Sequence, residues 1–193
     1  MNKPDKSSVV EEVIAALDRG NILDAINIAK QKYPWESVKV PKRRMTQRRA
    51  LSVFINDGFI DRYSGSKLIF PGTLLLLGYV LPQAFPVHET WRVHETHEIY
   101  FDLWPVVDHI MPISRGGIDN ESNFATTSNL NNDVKSHWTL EQMGWTLHPP
   151  GKASEWDGLM TWFLEYVNSH QEVLEHRTIS GWHKSAMSVR SDP

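Results

Sequence analysis

The chain has 193 residues, of which 40% are hydrophobic and 22% charged, with a formal net charge of −3 and no cysteine. That length can bury one substantial core, and the missing thiols exclude disulfides and every thiolate zinc site. The longest apolar run, Thr73 to Leu81, is about half of the roughly 20 residues a membrane span needs, and with no basic-then-apolar leader the cytoplasm is the expected address.

At the N-terminus Ser8 and Glu11 stand at capping-box spacing, and Val10, Val13, Ile14 and Leu17 recur at helical intervals until Gly20. Ile22 to Lys32 repeats the pattern and stops before Tyr33-Pro34. Residues 7–33 are therefore expected to form a helical hairpin that packs on the core or on a second subunit. Six cations and no acid follow: Lys39, Lys42, Arg43, Arg44, Arg48 and Arg49. In a chain that is acidic overall, such a run is either a track for nucleic-acid phosphates or a solvated helix face. Arg43, Arg44, Arg48 and Arg49 are assigned to the phosphate track. Thr46 is placed to cap a third helix through Phe54, stopped at Asp57-Gly58, which closes an N-terminal helical and basic region over residues 1–56.

Farther along, Leu74–Leu81 is read as a packing element. From His88 to Asp108 the acids Glu89, Glu95, Glu98, Asp102 and Asp108 accumulate, interleaved with His88, His94 and His97. On a helix His94 and His97 would share a face, so this cluster is a polar surface, the margin of an active site, or a zinc site. Thr139 and Gln142 form a capping box for a short helix ended by Gly144, and His148-Pro149-Pro150-Gly151 is a rigid connector. Trp156, Leu159, Trp162, Phe163, Tyr166, Val167 and Leu174 make an apolar helical stripe expected to be core or dimer surface. From Thr178 onward the composition predicts a polar, poorly ordered tail. Residues 146–193 thus read as a C-terminal helix and tail.

The chemistry is concentrated between Val107 and Ser136. Asp108 and His109 are adjacent, so on a strand their side chains point to opposite faces. The carboxylate can then hold a hard cation while the imidazole takes a proton from water. A Pro-Ile-Ser-Arg-Gly-Gly turn follows from Pro112, then Asn123, then the run Asn132-Asp133-Val134-Lys135-Ser136, with Asn132 lying 23 residues after His109. That separation suits a strand, a loop, a second strand and the start of a helix. Without further context, Asp108 would be a turn residue, His109 a core histidine and Asn132 a helix cap.

Asp-His-Ile-x-Pro, Ser-Arg-Gly-Gly, Asp-Asn-x-x-Asn and Asn-x-x-Lys-Ser in this order resemble the HNH (ββα-metal, His-Me finger) endonuclease family, over about half of the chain. The resemblance implies an α+β fold with a ββα-metal core over residues 57–145, flanked by the N-terminal hairpin and a C-terminal helix. It implies that His109 is the general base and that Asp108 and Asn132 bind one Mg²⁺ or Mn²⁺ through oxygen. It makes Asn123 the residue that bonds backbone groups across the loop and so orients His109, and it lets Arg115 and Lys135 touch phosphates. The implied activity is hydrolysis of DNA leaving 5′-phosphate and 3′-hydroxyl ends, with a restriction or defence role suited to the size. A homodimer would be needed for double-strand cutting.

Two departures qualify the resemblance. Many members carry a Cys-x-x-Cys-Gly knuckle where this chain reads Asp61-Arg62-Tyr63-Ser64-Gly65, and the second cysteine pair is also absent, so no structural zinc is expected. The third letter of the motif is Asn132 where many members have His, and its neighbour Asn131 is the ligand instead if the helix register differs by one. Two other readings stay open: a nucleic-acid binding module that does not cleave, and an RNA-directed nuclease.

Overall fold

The computed structural model describes residues 5–36 and 45–190 and divides the chain into two compact units, residues 1–39 and 40–193. Among the described residues the protein is helix-rich with one two-stranded antiparallel sheet, an α+β arrangement. No helix among them is long and apolar enough to cross a membrane.

The first unit is a helical hairpin. Helix α1 (Lys6–Asp18) begins earlier than the Ser8 cap predicts, because the Asp5 carboxylate accepts from Ser7 N at 3.1 Å and takes the cap position. Gly20 turns the chain at φ +71°, and Asn21 caps α2 (Ile22–Lys32) through Asp24 N. Val9, Ala16 and Ala25 are buried, whereas Val10, Ile14, Leu23 and Ile26 stay exposed.

The second unit holds the main core. Thr46 caps α3 (Gln47–Asn56) by accepting from Arg49 N, as its position predicts. Helix α4 (Pro71–Val80) carries proline in its first turn, where a missing N–H costs nothing, and buries Leu74 and Leu76. A short helix α5 (Ile99–Asp102) leads into strand β1 (Pro105–His109), which pairs antiparallel with β2 (Phe124–Ser128) in the register Pro105↔Ser128 to His109↔Phe124. Helix α6 (Asn129–Lys135) starts directly from β2, because the Ser128 hydroxyl caps it through Asn131 N at 3.1 Å. Helix α7 (Leu140–Met143) has the Thr139–Gln142 capping box and ends at Gly144, φ +68°.

The C-terminal region departs from expectation. The helical stripe expected from Trp156 to Leu174 is two pieces, α8 (Met160–Ser169) and a 3₁₀ stretch, Gln171–Glu175. Beyond it the chain is a helix, α9 (Arg177–Arg190), and not a loose tail. Ile179, Trp182 and Ala186 recur at helical spacing and are buried; the polar residues between them conceal that stripe in composition. Trp182 stands edge-on to Phe70 at 5.6 Å, and Phe70 in turn to Phe163 at 5.2 Å and to Phe59 at 6.4 Å. Edge-to-face contacts of this kind add to simple burial. α3 and α9 pack on each other, and α3 also backs both strands, so this aromatic core is the rigid support of the sheet.

Candidate functional site

The loop between the strands is built to bring its ends together. Gly116 adopts φ +89°, and a Cβ on Gly117 would lie 1.9 Å from the Met111 carbonyl oxygen, so only glycine fits. Asn123 closes the loop: its Oδ1 accepts from Met111 N at 2.8 Å, and its Nδ2 donates to the Met111 and Ile118 carbonyls, each at 2.9 Å. Behind this loop, β1 and α6 enclose a cavity of about 390 Å³ lined by Asp108, His109, Ser114, Asn132, Asp133 and His137 among others. Three residues singled out in the sequence, Asp108, His109 and Asn132, therefore face one space. Asp133 and His137 are additions that no spacing rule marks. His137 reaches the cavity because Ser136 takes φ +47°, ψ −119°, a backbone state rare outside glycine, and reverses the chain after α6.

His109 is 3% exposed and its ring stands edge-on to Phe124, 5.0 Å between centroids. Its Nε2 lies 2.8 Å from Asp119 Oδ1. A carboxylate only accepts, so Nε2 carries the proton and Nδ1 keeps its lone pair. That Nδ1 is buried with no protein partner. Asp119 was not singled out in the sequence. Its one signal is position: it lies within the loop that Asn123 closes, next to Ile118, whose carbonyl Asn123 binds. Asn123 thus acts on the loop backbone, and the direct contact to the imidazole belongs to Asp119.

Asp108 is held from the opposite side. The Tyr63 hydroxyl donates to its Oδ2 at 2.7 Å, and Lys135 Nζ lies 2.7 Å from the same oxygen. Lys135 also donates to the His109 carbonyl at 2.8 Å and is completely buried. The phosphate contact expected of Lys135 is therefore corrected: a buried ammonium needs an anion or a carbonyl beside it, and here it has both. Burial, followed by the adjacent Asp108 carboxylate, pushes the Tyr63 hydroxyl well above the usual phenol range, so it stays a donor.

The 61–65 turn is tied to the same frame by one carboxylate. Asp61 Oδ1 accepts from Tyr63 N at 2.8 Å, Ser64 N at 3.2 Å and Thr127 Oγ1 at 3.1 Å. Its Oδ2 accepts from Ser128 N at 2.9 Å and Asn131 Nδ2 at 2.8 Å. Burial alone would raise its pKa, but the bonds from Ser128, Tyr63 and Asn131 outweigh it and hold Asp61 below the usual carboxylate range. Asn131 turns its Nδ2 to Asp61, and of the two asparagines it is Asn132 that lines the cavity.

The remaining assigned residues scatter. Arg43 and Arg44 lie outside the described residues. Arg48 is exposed on α3, and the Arg49 guanidinium sits over the Phe124 ring at 5.0 Å, so Arg49 is near the His109 site. Arg115 is exposed, stacks over Trp138 at 5.6 Å and reaches the His137 carbonyl at 3.4 Å. Of the three upstream histidines, His88 and His94 share Glu95 as a partner, His88 at 3.6 Å, and His97 takes no part in that pairing. His88 Nδ1 accepts from Thr90 N, His97 Nδ1 accepts from Ile99 N, and His94 pairs with Glu95 at 3.2 Å. His94 lies in a 3₁₀ turn and His97 beyond it, so they share no helix face.

Among the described residues no three His, Cys, Asp or Glu side chains converge on one point. The cavity offers oxygens from Asp108, Asn132 and Asp133 beside the imidazoles of His109 and His137; the oxygens are a set that fits a hard divalent ion whose shell is completed by water and substrate. Compared with protein-family models, with curated proteins and with solved structures, the chain matches none.

Proposed function

We propose that this protein is a metal-dependent endonuclease of the HNH type that hydrolyses DNA phosphodiester bonds in the cytoplasm. The observation that carries the reading is the buried, unpartnered Nδ1 of His109, a residue that lines one cavity together with Asp108. A buried nitrogen with no partner is costly in a merely structural histidine. The order β1, closed loop, β2, α6 also supports the finer assignment of a ββα-metal core.

In this reading His109 Nδ1 takes a proton from water as the water oxygen bonds to phosphorus and the bond from phosphorus to the 3′ oxygen breaks. Asp119 holds the imidazole by its Nε2 proton and stabilises the imidazolium that forms, the role a carboxylate plays beside other catalytic histidines. Asn123 keeps the loop in register, so Asp119 and His109 stay opposed. Asp108 and Asn132 are the residues that would hold one Mg²⁺ or Mn²⁺. When bound, such an ion supplies positive charge for the phosphate and the leaving oxygen. Arg49, over the Phe124 ring, and Arg115, over Trp138, contact the backbone phosphates.

The test is to incubate purified protein with supercoiled plasmid and with linear RNA, in Mg²⁺, in Mn²⁺ and in EDTA. Nicked or linear plasmid with 5′-phosphate ends, lost in EDTA, is the expected result. Cleavage of RNA alone would move the reading to an RNA-directed nuclease. Binding of DNA without any cleavage would make the chain a binding module.

A further inference from the structure

Tyr63 and Lys135 do more than anchor Asp108: they leave it only one oxygen for any ligand. An ionised carboxylate has two oxygens and about four lone-pair sites in all. Tyr63 donates to Oδ2 at 2.7 Å, and the Lys135 ammonium is ion-paired with the same oxygen at 2.7 Å, so both partners occupy that oxygen. Oδ1 accepts no hydrogen bond from the described residues. The arrangement is stiff as well as short, because Lys135 is fully buried and bound at the same time to the His109 carbonyl, while Tyr63 is 7% exposed.

We propose that Tyr63 and Lys135 are positioning residues that set the cation selectivity of this site, by restricting Asp108 to a single coordinating oxygen. The proposal rests on the reading of Asp108 as a cation ligand. A small octahedral cation such as Mg²⁺ takes one oxygen from a carboxylate and fills the rest of its shell with water. Ca²⁺ takes six to eight oxygens and gains from bidentate carboxylates. With Oδ2 occupied, the second contact that would favour Ca²⁺ is blocked, and the site discriminates by ligand count rather than by charge. Packing alone would explain the burial of Tyr63 and Lys135, but not why both partners meet on one oxygen of a residue that lines the cavity.

The experiment measures binding and not turnover. Mn²⁺ binding to the full chain is followed by the loss of the free-ion EPR signal, with Mg²⁺ or Ca²⁺ added as competitor, in wild type, Tyr63→Phe and Asp108→Asn. The wild type should release Mn²⁺ at a lower concentration of Mg²⁺ than of Ca²⁺. Tyr63→Phe frees a lone pair on Oδ2 while keeping the ring, and should shift the Ca²⁺ to Mg²⁺ competition ratio toward Ca²⁺ by about tenfold, the scale of one hydrogen bond to a charged group. Asp108→Asn should lose the site. Should Asp108→Asn lose Mn²⁺ while Tyr63→Phe leaves the ratio unchanged, the selectivity proposal is overturned and the cation site stands. If Asp108→Asn binds Mn²⁺ like the wild type, the cation reading falls and the selectivity proposal with it. Lys135→Met adds a second arm wherever its circular dichroism matches the wild type, and the same shift toward Ca²⁺ is expected of it.

Discussion

Two carboxylates, the buried Asp61 and the part-buried Asp108, have opposite fates. Asp61 accepts five hydrogen bonds, divided between its two oxygens, from the 61–65 turn, from β2 and from α6. Asp108 accepts one, from Tyr63, and is ion-paired with Lys135, both at Oδ2, and it lines the cavity. A carboxylate with every lone pair used is a tie between segments and has nothing left to offer a ligand. One with a spare oxygen on a cavity wall is a binding group. The same contrast separates the two neighbouring asparagines: Asn131 is bonded to Asp61, and Asn132 faces the cavity.

The sharpest test of the cavity side is the loss of its base. His109→Ala should lower DNA cleavage by roughly 10²–10⁴-fold, the range for general-base loss, while Mn²⁺ binding is retained. Asp108→Ala should lose both, and unchanged cation binding in that variant would remove Asp108 from the site.

Next comes the partner of the base. Asp119→Asn should lower kcat by about 10²-fold with little change in KM, because an amide can present either an oxygen or an N–H to the imidazole and no longer fixes the tautomer. Wild-type kcat in this variant would show that Asp119 is only a loop residue.

On the other side of the contrast, Asp61→Ala should act on stability. It strands the Ser128 amide and the Asn131 and Thr127 side chains, and a loss of about 3 kcal/mol is expected in urea unfolding. The pH dependence follows from the sign of the shift. The folded pKa of Asp61 lies below its unfolded value, so its contribution is fully present above the unfolded carboxylate value of about 4. It is lost as the pH falls through the folded value. Wild type should therefore destabilise in acid more steeply than Asp61→Asn. Because the Asp61 carboxylate ties this turn to β2, EDTA should leave Tm within a degree or so of its untreated value while abolishing cleavage. A large drop in Tm on chelation would mean that a metal holds the fold.

The smallest effect expected is on substrate affinity. Replacing Arg49 and Arg115 with Ala removes two phosphate contacts, so the slope of log affinity against log salt should flatten by about two units, at roughly 0.9 per contact. An unaltered slope would place the DNA track elsewhere on the surface, beginning with the run that contains Arg43 and Arg44.

Local signals were legible in the amino-acid order. The Thr139–Gln142 box, the Thr46 cap, the hairpin of α1 and α2, and the placement of Asp108 and His109 on one strand depend on neighbours within a few residues. So does the Gly116-Gly117 turn. The α9 helix was missed although Ile179, Trp182 and Ala186 carry the right period, because its intervening residues are polar and only burial against Phe70 and Phe163 distinguishes the stripe from a solvated tail.

What no local pattern contains is which side chain meets which across the fold. Asp61 reaches Thr127, Ser128 and Asn131 over 66 to 70 residues of sequence, and Tyr63 reaches Asp108 over 45. Lys135, exposed by its residue type, is drawn inside because Asp108 and the His109 carbonyl stand where its ammonium ends. By itself the sequence determined the residue types and their order along the strands and helix: an acid beside a histidine, a glycine pair, and asparagines at set spacing. The tertiary structure decided which of these groups are used up in holding one another and which keep a free lone pair, because hydrogen-bond saturation depends on distances in space that chain order does not encode.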